Sequence, residues 1–167
     1  MTQIKDHWHV VYTRTKSEKK IYNHLCEREI DAFLPLRKVV KQWSDRKKKI
    51  EEPLFPNYVF VRMDERYYYE ILNVPGITKF ISFNGNAACV PNKEIESIKA
   101  LIGACDDVAN ENYYEIGDHV RVCYGPLAGL EGMLIDKKGS KKFALRLDAI
   151  EQSLSVRVDT KYLERIA

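Results

Sequence analysis

Apolar and polar positions alternate in short runs along most of this chain, with helical patterns in three stretches. Trp8-His9-Val10-Val11-Tyr12-Thr13-Arg14 is rich in β-branched and aromatic residues and predicts a strand. Ser17 is placed to cap a helix, Glu18 suits its positive end, and Ile21 and Leu25 at i, i+4 spacing carry it to about Glu29. Asp31 to Leu36 predicts a short strand. Arg37 to Trp43 and Lys47 to Glu52, with a turn around Ser44-Asp45-Arg46, predict a protruding β-hairpin that Pro53 ends. In Phe55-Pro56-Asn57-Tyr58-Val59-Phe60-Val61 the last four residues predict a strand apolar on both faces. Such a strand is buried on both, or keeps one face for a partner. A short helix over Arg66 to Asn73 follows, then a turn at Pro75-Gly76 and a strand from Ile77 to Phe83. Asn84-Gly85 is a hairpin signal. Asn92 caps a helix on Ile95, Ile98, Leu101 and Ile102 that ends at Gly103.

Beyond this the pattern changes. Asp106 to Asn112 is acidic and polar with little to bury, and reads as a linker. Short runs at strand spacing follow at His119–Cys123, Met133–Asp136, Phe143–Leu147, Leu154–Val158 and Tyr162–Ile166, the signature of a small barrel. Between the first two lies Gly125-Pro126-Leu127-Ala128-Gly129-Leu130-Glu131-Gly132. Three glycines and a proline in eight residues specify a shaped turn. No Lys-Ser/Thr pair or helical pattern follows, so this is no phosphate-binding loop. The first part mixes helices and strands in an α+β pattern around a mostly antiparallel sheet.

Composition narrows the functional classes. Apolar residues make up 45% of the 167, ordinary for a globular chain, and no stretch has the length of apolar sequence a membrane span needs. The start of the chain lacks a signal-peptide core. Four widely spaced cysteines without a C-x-x-C pair predict reduced, mostly buried thiols in a cytoplasm, and scattered histidines predict no metal site and no cofactor. No Ser/His/Asp or Cys/His set has distinctive spacing, so the chain reads as a non-enzyme. Charge is uneven: residues 1–63 carry 14 Lys/Arg against 8 Asp/Glu, while residues 64–167 carry 13 against 16. The basic half predicts a nucleic-acid or acidic-protein surface.

Taken in order, these pieces resemble the NusG family of transcription elongation factors. The likeness rests on Trp8 to Arg14, Glu27-Arg28-Glu29-Ile30, Ala32-Phe33-Leu34-Pro35, Pro53 to Val61, Pro75-Gly76-Ile77, Val90-Pro91-Asn92-Lys93-Glu94-Ile95, and the octet, which matches a KOW motif at Gly125, Pro126, Gly129 and Gly132. The resemblance implies an NGN domain over residues 1–105, a linker over 106–115 and a KOW barrel over 116–167. It implies a factor whose NGN domain binds the β′ clamp helices of RNA polymerase and suppresses pausing. The KOW domain would recruit Rho or the ribosome. Tyr12, Phe55, Tyr58 and Phe60 match the family's polymerase-binding positions. Phe60 fits core and interface equally, while Tyr12 and Tyr58 fit interface better.

Arg46-Lys47-Lys48-Lys49 at the hairpin tip, with Arg14 and Lys16, is the candidate contact to the DNA of the elongation complex or to nascent RNA. Lys19 and Lys20 read as a solvated face. Asn57 stands where housekeeping members commonly have Gly; it tolerates the left-handed region and resembles specialised paralogues of the RfaH and UpxY type, which act on chosen operons such as surface-polysaccharide loci. Tyr67-Tyr68-Tyr69-Glu70 departs from the His-Thr-Thr gate-loop motif of one such branch. A ribosomal or RNA-binding KOW protein is the reading from another class, but it would need only the barrel.

Overall fold

The computed structural model describes residues 6–111 and 117–166. The N-terminal residues read for a signal core, and residues 112–116 at the end of the expected linker and the start of the expected barrel, lie outside them. In chain order the elements begin with β1 (His7–Thr13), α1 (Glu18–Glu27), β2 (Asp31–Phe33), β3 (Leu36–Gln42), β4 (Lys47–Pro53) and β5 (Tyr58–Met63). A single 3₁₀ turn at Glu65–Tyr67 leads into α2 (Tyr68–Leu72), then β6 (Ile77–Phe80), β7 (Ser82–Phe83), β8 (Asn86–Ala87) and α3 (Asn92–Ala104). The rest is strand: β9 (Ala109–Glu111), β10 (Asp118–Val122), β11 (Glu131–Lys137), β12 (Ser140–Leu147), β13 (Gln152–Val156) and β14 (Leu163–Arg165).

Contacts divide the chain into two compact units, Met1–Pro35 with Phe55–Ile95, and Leu36–Leu54 with Glu96–Ala167. The first holds an antiparallel sheet in the order β2-β5-β1-β6, with β7 and β8 as a separate small hairpin. Its central strands are buried on both faces: Val10, Val11, Val59, Phe60 and Val61 are all fully inside. That is the outcome expected of strands without polar alternation. Ile21 and Leu25, one turn apart on α1, are equally buried.

Ser17 sits at the N-cap of α1 but its side chain makes no capping bond. The helix stops at Glu27, because Glu29 takes a left-handed φ of 59° and the Ile30 N–H turns back to the Leu25 carbonyl at 2.9 Å. Asn92 opens α3 instead of capping it: the Pro91 carbonyl receives the Glu94 N–H at 3.0 Å, and Asn92 Oδ1 accepts the Trp8 indole N–H at 3.3 Å. The expected strand from Ile77 to Phe83 is broken at Ile81 into β6 and β7, while Asn84 and Gly85 both adopt positive φ as their hairpin signal requires.

The second unit holds the paired strands β3 and β4 and an antiparallel sheet in the order β14-β10-β11-β12-β13-β9. The five strands read from the sequence are all present in this small barrel. Val120, Val122, Met133, Ile135, Phe143, Leu145, Leu154 and Val156 fill its core. A sixth strand was missed: Ala109–Glu111, inside the segment read as linker, pairs with β13 as Ser153↔Glu111, Leu154↔Asn110 and Ser155↔Ala109. Three residues with no apolar alternation carry no strand signal of their own.

Candidate functional site

The aromatic part of the site begins with a turn. Phe55-Pro56-Asn57-Tyr58 closes with the Tyr58 N–H on the Phe55 carbonyl at 3.2 Å, and Asn57 has φ of 74°. Pro at the second position and Asn at a positive-φ third position are the residues a type II turn selects. Asn57 is then held on every side. Its N–H donates to Glu18 Oε1 at 2.8 Å, and its Nδ2 donates to the Thr13 carbonyl at 3.0 Å and to Thr15 Oγ1 at 3.2 Å. Its carbonyl accepts the Thr13 N–H at 2.8 Å. Glu18, on the first turn of α1, is buried and turned onto this N–H.

The lock delivers Tyr58 opposite Tyr12. The two are register partners across β5 and β1, with ring centroids 5.4 Å apart and planes at 78°. The edge of one ring thus meets the face of the other. Lys79 places its Nζ 5.8 Å from the Tyr12 centroid. Both tyrosines are half-buried, whereas Phe55 and Phe60 are fully buried. Phe60 lies 6.1 Å from Phe55 and 6.0 Å from Phe33. Of the four aromatic candidates, two form a half-buried surface pair and two belong to the core.

The basic candidates separate in a similar way. Arg14 and Lys16 are exposed in the loop after β1, where the Arg14 N–H reaches the Gly76 carbonyl at 2.9 Å and Lys16 has φ of 62°. In the hairpin Arg46 is in the turn, closed by the Trp43 N–H on the Arg46 carbonyl at 2.8 Å. Lys47, Lys48 and Lys49 open strand β4 and do not form the tip itself, so Lys47 and Lys49 point to one face and Lys48 to the other. All four cations are exposed. Glu52, at the base of the hairpin, meets Arg37 at 3.1 Å and draws the Nζ of Lys41 to 3.5 Å. Arg14 and Lys16 belong to the first unit and the hairpin to the second.

In the octet the glycines are required for two different reasons. Gly125 and Gly129 have φ of 87° and 91°, with open space where a side chain would stand. Gly132 has room for no side chain: a Cβ would overlap the Ala144 carbonyl oxygen and come within 2.8 Å of the Phe143 ring. The Gly129 N–H closes the turn on the Val122 carbonyl at 2.7 Å. Pro126 is exposed, and Leu127 folds back into the core.

Among the described residues no three His, Cys, Asp or Glu gather as metal ligands would. The cysteines differ from expectation. Cys26, Cys89 and Cys123 are exposed and Cys105 is half-buried, all as free thiols. Spacing alone does not say which face of an element a lone thiol takes. No helix among the described residues is long and apolar enough to cross a membrane.

A family profile described as transcription termination factor nusG matches residues 6–99. The chain belongs to the NusG family. The transcription termination/antitermination protein NusG of Lactococcus lactis is 24% identical over 95% of this chain and 92% of its own. The NusG of Streptococcus pyogenes is 29% identical, covering 80% of this chain and 82% of its own. The solved structure of Thermotoga maritima NusG covers 98% of both chains at a TM-score of 0.58 and 24% identity, a likeness of fold. The chain is thus a member of a transcription termination and antitermination family, with an α+β part followed by a small all-β barrel.

Proposed function

We propose that this NusG-family protein is a non-catalytic elongation factor that binds RNA polymerase at the β′ clamp helices, suppresses pausing and promotes antitermination on selected operons. The observation that carries this is the surface pair Tyr12–Tyr58, aligned at 5.4 Å by the Asn57 turn. Rigid aromatic side chains at the centre of an interface contribute more binding energy than most of their neighbours. Phe55 and Phe60, being fully buried, act here in the packed core and not in the contact surface. A ligand that prefers the active polymerase conformation raises that state's population, so no chemistry is required of the factor.

The working modules in this reading are residues 1–105 and 116–167, joined by 106–115. The barrel recruits Rho or the ribosome, and the exposed cations Arg14, Lys16 and Arg46 to Lys49 face the DNA or nascent RNA of the elongation complex. Asn57 at φ 74° supports the specialised branch, because it occupies a left-handed turn position where Gly is the common residue. A housekeeping role is the second reading, favoured by the names of the Lactococcus and Streptococcus relatives.

Replacing Tyr58 by Ala tests the interface. The folded variant is expected to lose about 2 kcal/mol of polymerase affinity, roughly thirtyfold in a pull-down titration. A Tyr58→Ala protein with native circular dichroism that captures polymerase as well as the parent would refute the assignment.

A further inference from the structure

The chain's two tryptophans have opposite surroundings. Trp8 is 5% exposed and donates its indole N–H to Asn92. Trp43 is 55% exposed at the point where β3 enters the hairpin turn. Tryptophan carries the largest apolar surface of any side chain, and leaving more than half of it in water forgoes the burial that usually retains it. Its immediate neighbours do not cover it: the Gln42 side chain donates to the Trp43 carbonyl, not to the ring. Lys48 Nζ stands 5.9 Å from the ring centroid, on the outer edge of cation–π range.

The charges around this ring are lopsided. Arg46, Lys47, Lys48 and Lys49 lie within six residues of it in sequence, against the single acid Asp45. The register sets Gln42 opposite Lys47 and Lys41 opposite Lys48, so Lys48 lies on the side of the hairpin that carries the indole, while Lys41 turns its Nζ to Glu52 at 3.5 Å. The acids Glu51 and Glu52 lie further down, beside Lys38 and Arg37 at the base. An exposed aromatic ring framed by cations matches a strand that carries both phosphates and open base faces. A duplex hides its base faces by stacking them on one another; an unpaired strand displays them.

We propose that the β3–β4 tip is a stacking platform for single-stranded nucleic acid, with a base laid on the Trp43 indole and the flanking phosphates held by Arg46 and Lys48. The inference rests on the reading of this hairpin as a nucleic-acid contact and adds the form of the ligand. Displaced DNA and nascent RNA present the same chemistry, and the choice between them is a matter for experiment.

The test uses the full chain at low salt, titrated into labelled oligothymidylate, oligouridylate and a mixed-sequence duplex, with fluorescence anisotropy as readout. Trp43→Ala is expected to weaken single-strand binding about tenfold and to leave duplex binding unchanged, and Trp43→Phe is expected to keep most of the affinity. The strand type that loses affinity identifies the source. Converting Lys47, Lys48 and Lys49 to Gln should weaken all three ligands and flatten the salt dependence. Unchanged single-strand binding by Trp43→Ala, or an equal loss on duplex and single strand, overturns the stacking platform while the charged contact stands. Binding indifferent to the three lysines, or no binding by the parent chain, overturns the nucleic-acid reading of the hairpin as well.

Discussion

His9 illustrates how one residue links stability to pH. It is buried on β1, its Nδ1–H donates to the Ala88 carbonyl at 3.1 Å, and its ring meets Phe80 edge-on at 6.4 Å. Burial pushes its pKa below the ordinary histidine value, partly opposed by the Ala88 bond. Protons therefore bind the unfolded chain more readily than the folded one. The contribution of His9 is full above the unfolded pKa near 6.5 and is lost as pH falls from there through the folded value. Urea midpoints measured from pH 7.5 down to 5 should decline, and His9→Gln should remove part of that slope. A slope unaltered in His9→Gln would assign the decline elsewhere. Asn57 operates at the same scale by geometry: its left-handed φ and four hydrogen bonds bind the ends of β1, α1 and β5 into one corner.

At the level of elements, the turn joining β10 to β11 separates two kinds of glycine. Alanine at position 129 would have to adopt φ near 91° in open space, a backbone cost of about 1–2 kcal/mol. At position 132 it would press into the β12 backbone at Ala144 and the Phe143 ring. Overpacking of that kind costs about 1–3 kcal/mol and displaces the strand pairing itself. Gly132→Ala should therefore lower the thermal midpoint of the barrel and broaden the amide resonances of β11 and β12. Gly129→Ala should lower it with those resonances intact. Identical spectra for the two variants would show that Gly132 is not sterically required.

For the whole molecule, charge and architecture separate differently. The sequence places its positive excess in residues 1–63, whereas contacts assign that stretch's hairpin to the unit that contains the barrel. The proposed division into polymerase-binding and recruiting modules is functional, and does not follow the geometric grouping. The scope of action is likewise a property of the intact protein. Chromatin immunoprecipitation of the full chain is expected to find it confined to a few long operons, as the specialised reading requires. Occupancy across most transcribed genes would establish the housekeeping reading in its place.

Much of this was legible along the chain. The hairpin over β3 and β4, the Asn84-Gly85 turn, the octet and the five barrel strands depend on neighbours a few residues apart, where periodicity and turn chemistry act directly. Membership of the NusG family followed from the order of such pieces, and the profile over residues 6–99 agrees. The tertiary structure alone decided what depends on distant partners. It sorted Tyr12 and Tyr58 to the surface and Phe55 and Phe60 to the interior, although all four are aromatic and Tyr58 and Phe60 share one face of one strand. It turned Glu18 onto an N–H 39 residues away, joined Trp8 to Asn92 across 84, and recruited Ala109–Glu111 into a sheet. Burial and long-range hydrogen bonding are settled by what packs against a side chain, and no local pattern carries that information.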